Sequence, residues 1–178
     1  MRVISGKAKG RKLKQPKSAK VRPTRDMVKE ALFDILGTAV VGKRFLDLYA
    51  GAGAIGIEAL SRGAEEVVFI EHMPKLVHEN LALTELTGGR VYGTKVATAL
   101  KVIEKKGEKF DFIFLDPPYS GAETEVTLNK ISSFDILAPD GLVIVEHHKQ
   151  NDLAEKFGML RLIKLKQYGE TKISFYKK

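Results

Sequence analysis

The chain contains no cysteine and no tryptophan. Without cysteine there is no disulfide framework, no thiolate nucleophile and no thiolate-ligated zinc, and the four histidines have no such neighbour to share a metal with; no metal is expected. Long apolar runs are missing too: none approaches the ~20 residues a bilayer-spanning helix needs. Met1 leads into a basic segment rather than a hydrophobic leader, so no secretory signal is read. The 178 residues, 44% of them hydrophobic, suit one domain with a sizeable core. The expectation is a cytoplasmic protein without membrane contact.

Acid is absent from residues 1–25, which carry ten Lys or Arg; the remainder holds 20 basic against 22 acidic groups, so the whole net charge of +8 resides in the N-terminal segment. Cations grouped this way read as a phosphate-binding element, because each one that neutralises a phosphate releases counterions. The plainer reading is a solvated basic tail. Val3–Ser5 and Lys12–Lys14 flank a turn from Gly6 to Gly10 and suit a hairpin, which would hold the cations in a row. Arg2, Lys7, Lys9, Arg11, Lys12, Lys14, Arg22, Thr24 and Arg25 are the candidate phosphate contacts, in an arm spanning 1–23 ahead of a domain spanning 24–178. Lys156, Arg161, Lys164, Lys166, Lys177 and Lys178 offer a secondary basic surface.

The most informative residues are Asp116-Pro117-Pro118-Tyr119, directly behind the apolar run Phe110–Leu115. The C-terminal tip of a buried strand is where open α/β sheets bind ligands. The Asp116 carboxylate and the Pro117 carbonyl are two acceptors for an amino group, the prolines stiffen their backbone, and Tyr119 offers a stacking face. That set suits an exocyclic amine on a planar ring. Asp116 as a plain strand-end cap is the bland alternative.

Upstream, Phe45–Leu48 runs into Tyr49-Ala50-Gly51-Ala52-Gly53-Ala54-Ile55-Gly56. The three glycines fit G-x-G-x-x-G, and Glu71 ends the next apolar run, where an acid would grip ribose hydroxyls. A lone fingerprint is weak. Asp47, four residues before Gly51, puts a carboxylate where a pyrophosphate would be repelled but the ammonium of an amino-acid-like cofactor attracted. S-adenosylmethionine meets both conditions, with Asp47, Ala50, Gly51, Gly53, Gly56, Glu71, His72 and Asp116 as candidate contacts. The alternative is that Asp47 caps the turn and the glycines only pack helix on strand.

Strands are expected near 44–49, 67–71, 90–94, 110–115 and 142–146, with helices near 55–62, 74–86, 97–105 and 122–132. Thr24 reads as the N-cap of a helix whose stripe is Val28, Ala31, Leu32, Ile35 and Leu36, and Pro74 suits a helical first turn. Runs near 160–167 and 171–176 suit an antiparallel pair. The fold class expected is α/β: a Rossmann-like, seven-stranded, mostly parallel sheet with helices on both faces, plus the small basic hairpin. His78, His147 and His148 read as surface or edge residues.

In combination, the Asp47-to-Gly56 turn, Glu71 and Asp116–Tyr119 resemble class I S-adenosylmethionine-dependent methyltransferases. Met1–Gly6, Gly10–Leu13, Arg22-Pro23-Thr24, Glu30–Leu36, Gly56–Ala64 and Tyr168–Thr171 resemble the RsmD family over nearly the whole chain. The resemblance implies methylation of the exocyclic N2 of one guanine in small-subunit (16S) ribosomal RNA, within an assembled particle. A monomer is expected. It also implies Asp116, Pro117 and Tyr119 as catalytic residues. Ala52 stands where the family has a small hydroxyl residue, and Met27 where it has an arginine. Thr98 lies near the family's adenine-binding aspartate; its hydroxyl can accept the same hydrogen bond, more weakly, and the backbone near Ala97 is the alternative contact. The motif alone also accommodates adenine N6 as the acceptor, or a non-catalytic RNA-binding assembly factor that merely holds the cofactor; a nicotinamide-dependent enzyme fits least.

Overall fold

The computed structural model describes residues 1–16, 23–117 and 121–178, with only the backbone of 23–25 and 121. Helix α1 (Pro23–Leu36) and a 3-10 turn (Gly37–Val40) precede β1 (Arg44–Leu48), α2 (Ala54–Ser61), β2 (Glu66–Ile70), α3 (Lys75–Thr84) and β3 (Gly89–Tyr92). There follow α4 (Val96–Lys105), β4 (Phe110–Leu115), α5 (Gly121–Ser133), β5 (Leu137–His148), β6 (Lys156–Phe157), β7 (Leu160–Tyr168) and β8 (Thr171–Lys177).

The strands form one sheet in the order β3-β2-β1-β4-β5-β8-β7-β6. β1 to β5 pair in parallel, whereas β8, β7 and β6 are added antiparallel. β1, β2 and β4 are buried on both faces, as strands covered by crossover helices must be, and so read as near-continuous apolar runs, whereas the edge strand β3 is half-buried throughout. One core layer joins α1, α2 and the N-terminal segment to the sheet through Leu32, Phe33, Ile57 and Phe69. The other packs α4 and α5 through Leu100, Ile103, Leu128 and Ile131.

The sheet has eight strands rather than seven. The extra one, β6, is a two-residue pairing with the start of β7, too short to leave an alternation in the sequence. Helix α1 begins at Pro23, so Thr24 lies within its first turn rather than at the N-cap; proline's fixed φ suits a first helical position. Pro74 is the N-cap of α3, one position before its first turn. His147 is 9% exposed, not a surface residue, because its ring nitrogens bond the Asn151 carbonyl and the Ser174 hydroxyl. Burial holds its pKa below the usual imidazole value.

The N-terminal hairpin is narrower than the expected pairing of Val3–Ser5 with Lys12–Lys14. Arg2 bridges Lys12, and Val3 exchanges hydrogen bonds with Arg11 and Gly10. The Ile4 and Ser5 amides instead donate to the buried Glu58 carboxylate on α2, at 2.8 and 3.0 Å. Lys29, 2% exposed, lies 3.4 Å from the same carboxylate and donates to the Arg2 carbonyl. Burial lowers its pKa although Glu58 pulls the other way. Val3, Ala8 and Leu13 are buried in the first core layer, so the segment is welded to the body.

Candidate active site

The strand order reverses between β1 and β4, and ligands of open α/β sheets bind at such a switch point, beyond the strands' carboxyl ends. Leu48 of β1 is in register with Leu115 of β4. The first residues beyond them, Tyr49 and Asp116, are thereby brought side by side at the rim.

On the β1 side the glycine turn is fixed from three directions. Asp47, 1% exposed, lies beneath it, and its carboxylate accepts the Gly56 amide at 2.9 Å. Glu71, from the tip of β2, accepts the amides of Gly51 and Met73 at 2.8 and 2.9 Å. Asn80 of α3 is fully buried: it donates to the Ala52 carbonyl at 2.8 Å and to the Lys14 carbonyl at 3.0 Å, and accepts the Lys14 amide at 2.7 Å. One amide thus ties the turn to the N-terminal segment, with its donors and acceptor satisfied.

The glycines do different work. Gly51 (φ 56) and Gly53 (φ 78) take the left-handed conformation that turns the chain into α2, and nothing stands within 4 Å of where a Cβ on Gly51 would be. Gly56 instead lets α2 approach β2: a methyl there would run into the Phe69 ring. Tyr49 holds φ 62 without being glycine, a conformation that costs energy and gathers at functional sites. Its hydroxyl bonds Thr127 of α5 at 2.8 Å, and burial pushes its pKa up to about 12.

Burial raises the pKa of Asp47 to about 7; the Gly56 amide opposes the rise, while the charges of Asp116 and Glu71 add to it. Three carboxyl groups from both walls therefore converge on one cleft, an environment that attracts a cation. The fit to S-adenosylmethionine rests on this donor set. An open left-handed cradle leads to the start of α2, where Asp47 takes the Gly56 amide, with carboxylates beside it suited to an ammonium and to ribose hydroxyls.

On the β4 side, Asp116 is exposed and Pro117 half-buried; Pro118 and Tyr119 lie outside the described residues. Ala50 is half-buried and its amide bonds the Ile70 carbonyl. His72, just past β2, and Thr98, in the first turn of α4, are exposed on the same rim. Arg2, Lys7, Lys9, Arg11, Lys12 and Lys14 are all exposed, but Lys14 pairs with Glu79 at 3.0 Å and Arg11 approaches Glu85 at 3.9 Å. Arg22 and the side chains of Thr24 and Arg25 lie outside the described residues. Among the described residues no group of three or more His, Asp or Glu is arranged to hold a metal ion. Sequence reasoning missed Tyr49, Glu58, Lys29 and Asn80. An aromatic between β1 and the glycines was a visible signal for Tyr49; the other three read as ordinary helix-face residues.

A switch-point cleft with an anchored glycine turn on one side and an acidic, proline-stiffened strand tip on the other defines a Rossmann-like methyltransferase fold. The chain matches the family described as Conserved hypothetical protein 95 over residues 1–177, and it belongs to that family. It is 41% identical over 182 residues to the putative rRNA methyltransferase YlbH of Bacillus subtilis, covering 100% of this chain and 99% of that protein. To the ribosomal RNA small subunit methyltransferase D of Escherichia coli K12 it is 37% identical over 157 residues, 86% of this chain and 77% of the relative. The structure of the T. thermophilus 16S rRNA N2 G1207 methyltransferase RsmC with AdoMet and guanosine superposes with a TM-score of 0.71 at 27% identity. That match covers 91% of this chain and 44% of that one.

Proposed function

We propose that this protein transfers the methyl group of S-adenosylmethionine to the exocyclic N2 amine of a guanine in small-subunit ribosomal RNA. The observation that carries the reading is the adjacency of Asp116-Pro117 to the glycine turn across the β1/β4 switch point. The names of the relatives, and guanosine beside AdoMet in the similar RsmC structure, support guanine over adenine as the acceptor.

The turn at Ala50, Gly51 and Gly53 cradles the cofactor, with Gly56 seating α2 beneath it. Glu71 accepts the ribose hydroxyls, His72 and Thr98 border the adenine, and Asp47 supplies negative charge toward the ammonium. Bound there, S-adenosylmethionine supplies an electrophilic sulfonium methyl that needs no further activation. Asp116 and the Pro117 carbonyl accept the two N–H bonds of the guanine amine, favouring its pyramidal, nucleophilic form, and Tyr119 stacks the base. Positioning and electrostatics supply most of the rate, and Asp116 takes the proton the amine loses. The target guanine must leave its stack, so it lies in an unpaired stretch. The exposed cations of the N-terminal segment hold flanking phosphates. The protein acts in the cytoplasm, as a monomer, on an assembled small-subunit particle.

The test is radiolabelled transfer from S-adenosylmethionine to small subunits lacking the modification, followed by nucleoside analysis. Label in N2-methylguanosine is expected. Label in N6-methyladenosine would overturn the base, and cofactor binding without transfer would favour the non-catalytic assembly factor.

A further inference from the structure

Strand β7 carries exposed cations at Arg161, Lys164 and Lys166. Cross-strand partners share a face, and Lys164 and Lys166 lie opposite Phe175 and Ile173, both in the core layer that also holds Val3, Leu13 and α1. Arg161 lies opposite Lys177, two residues from Phe175, and so shares that face. These cations are therefore on the same side of the sheet as the basic N-terminal segment.

The row is also aimed. β7 runs antiparallel to β8, which runs antiparallel to β5, so the Tyr168 end of β7 lies at the sheet end where β4 delivers Asp116. Lys164 reaches over the Phe175 ring at 5.9 Å, and Tyr168 packs half-buried against the same layer. Among the described residues none of these three cations takes part in an ion pair, and Glu170, just past the Tyr168 end of β7, is engaged by Lys149 at 2.7 Å. Glu146 faces the same side, across Ile173 from Lys166. The N-terminal segment, by contrast, commits Lys14 and Arg11 to acids.

We propose that the Arg161–Lys164–Lys166 row on β7 is a second RNA-backbone interface, gripping phosphates on the far side of the cleft from the N-terminal segment. It rests on the reading of this protein as an RNA methyltransferase. Lysines also guard free sheet edges against strand pairing, and beyond Leu162 β7 is such an edge among the described residues. Edge guarding alone predicts faster aggregation on charge removal and no change in RNA affinity.

The experiment compares R161Q/K164Q/K166Q with a control, K101Q/K105Q, on exposed α4 positions of the opposite face. Binding to small-subunit RNA is measured from low to physiological salt. The β7 variant should bind roughly tenfold more weakly, with the slope of log affinity against log salt reduced by about 2. The control should match wild type, and the Kd for S-adenosylmethionine should be unchanged in both. If the β7 variant retains the wild-type slope, the proposal fails. Should that variant aggregate, acetylation of the wild-type lysines with and without RNA reads the same point: RNA must protect Lys164 and Lys166, and equal labelling sinks the idea. Wild-type protein that binds RNA yet transfers no methyl group overturns the proposed function but leaves both readouts in force.

Discussion

The two walls of the cleft are built by different means. The β1 wall is over-determined: Asp47, Glu71 and Asn80 each satisfy backbone groups of the glycine turn, and Gly56 locks α2 against Phe69. At the β4 wall, Asp116 stands exposed at a strand tip whose stiffness comes from proline. In the proposed reaction the glycine turn receives the same small molecule every cycle and gains from rigidity. The β4 wall must, in that reaction, admit a base flipped from a large polymer, which suits a carboxylate on an exposed residue. Damage to the first should therefore show in cofactor binding and stability, and damage to the second in transfer.

The largest effect is expected from Asp116→Ala: methyl transfer should fall about 10²- to 10³-fold. Its cofactor Kd, measured by titration, should stay within about threefold of wild type; a comparable loss in both would erase the distinction between the walls. Glu71→Ala removes two charge-assisted hydrogen bonds to the turn, and such bonds are worth about 1.5–3 kcal/mol each. Calorimetric titration should find the cofactor bound about ten- to a hundredfold more weakly, with saturating turnover less affected. Gly56→Ala overpacks α2 against β2 and should lower stability by about 1–3 kcal/mol in denaturant unfolding, a result that unchanged unfolding would contradict.

The smallest effect concerns pH. Folded Asp47 keeps its proton up to about pH 7, whereas the unfolded chain releases it near the ordinary Asp value of about 4. Between those values the folded state binds more protons, so this group's contribution to stability falls as pH rises from about 4 to 7 and then levels off. Asp47→Asn should flatten that slope while an amide oxygen still accepts the Gly56 N–H. Cofactor affinity should rise from pH 6 to 8 in wild type as the carboxylate ionises, and stay level in the variant. A rise of equal size in both would remove Asp47 from cofactor binding.

Much of this was legible in order along the chain. Apolar runs ending in Glu71 and Asp116 placed two carboxylates at strand tips, and the glycine spacing marked the turn; Asp47, expected at a tip, lies inside β1 beneath that turn because Leu48 continues the pairing. The strands from β1 to β4 and the helices between them emerged within two residues of their observed bounds, because each hydrophobic period is local. β5 begins at Leu137, five residues before the expected start, because Leu137 pairs with Phe110 ahead of a register shift that breaks the alternation. β6 escaped because two residues carry no period. His147 escaped because its burial depends on Asn151 and on Ser174, 27 positions away.

By itself the sequence determined the α/β class, the two chemical motifs and the segregation of positive charge, since composition and short-range spacing encode them directly. Only the tertiary structure decided that Glu58 and Lys29 weld the basic segment to α2 and α1, that Asn80 ties it to the glycine turn, and that the β7 cations face the same side as that segment. Those facts turn on which buried polar groups find partners across 27 to 66 residues of chain, and on a register that a bulge between Leu162 and Lys164 resets. Desolvation makes such partners obligatory once the core closes, and only closure determines which ones they are.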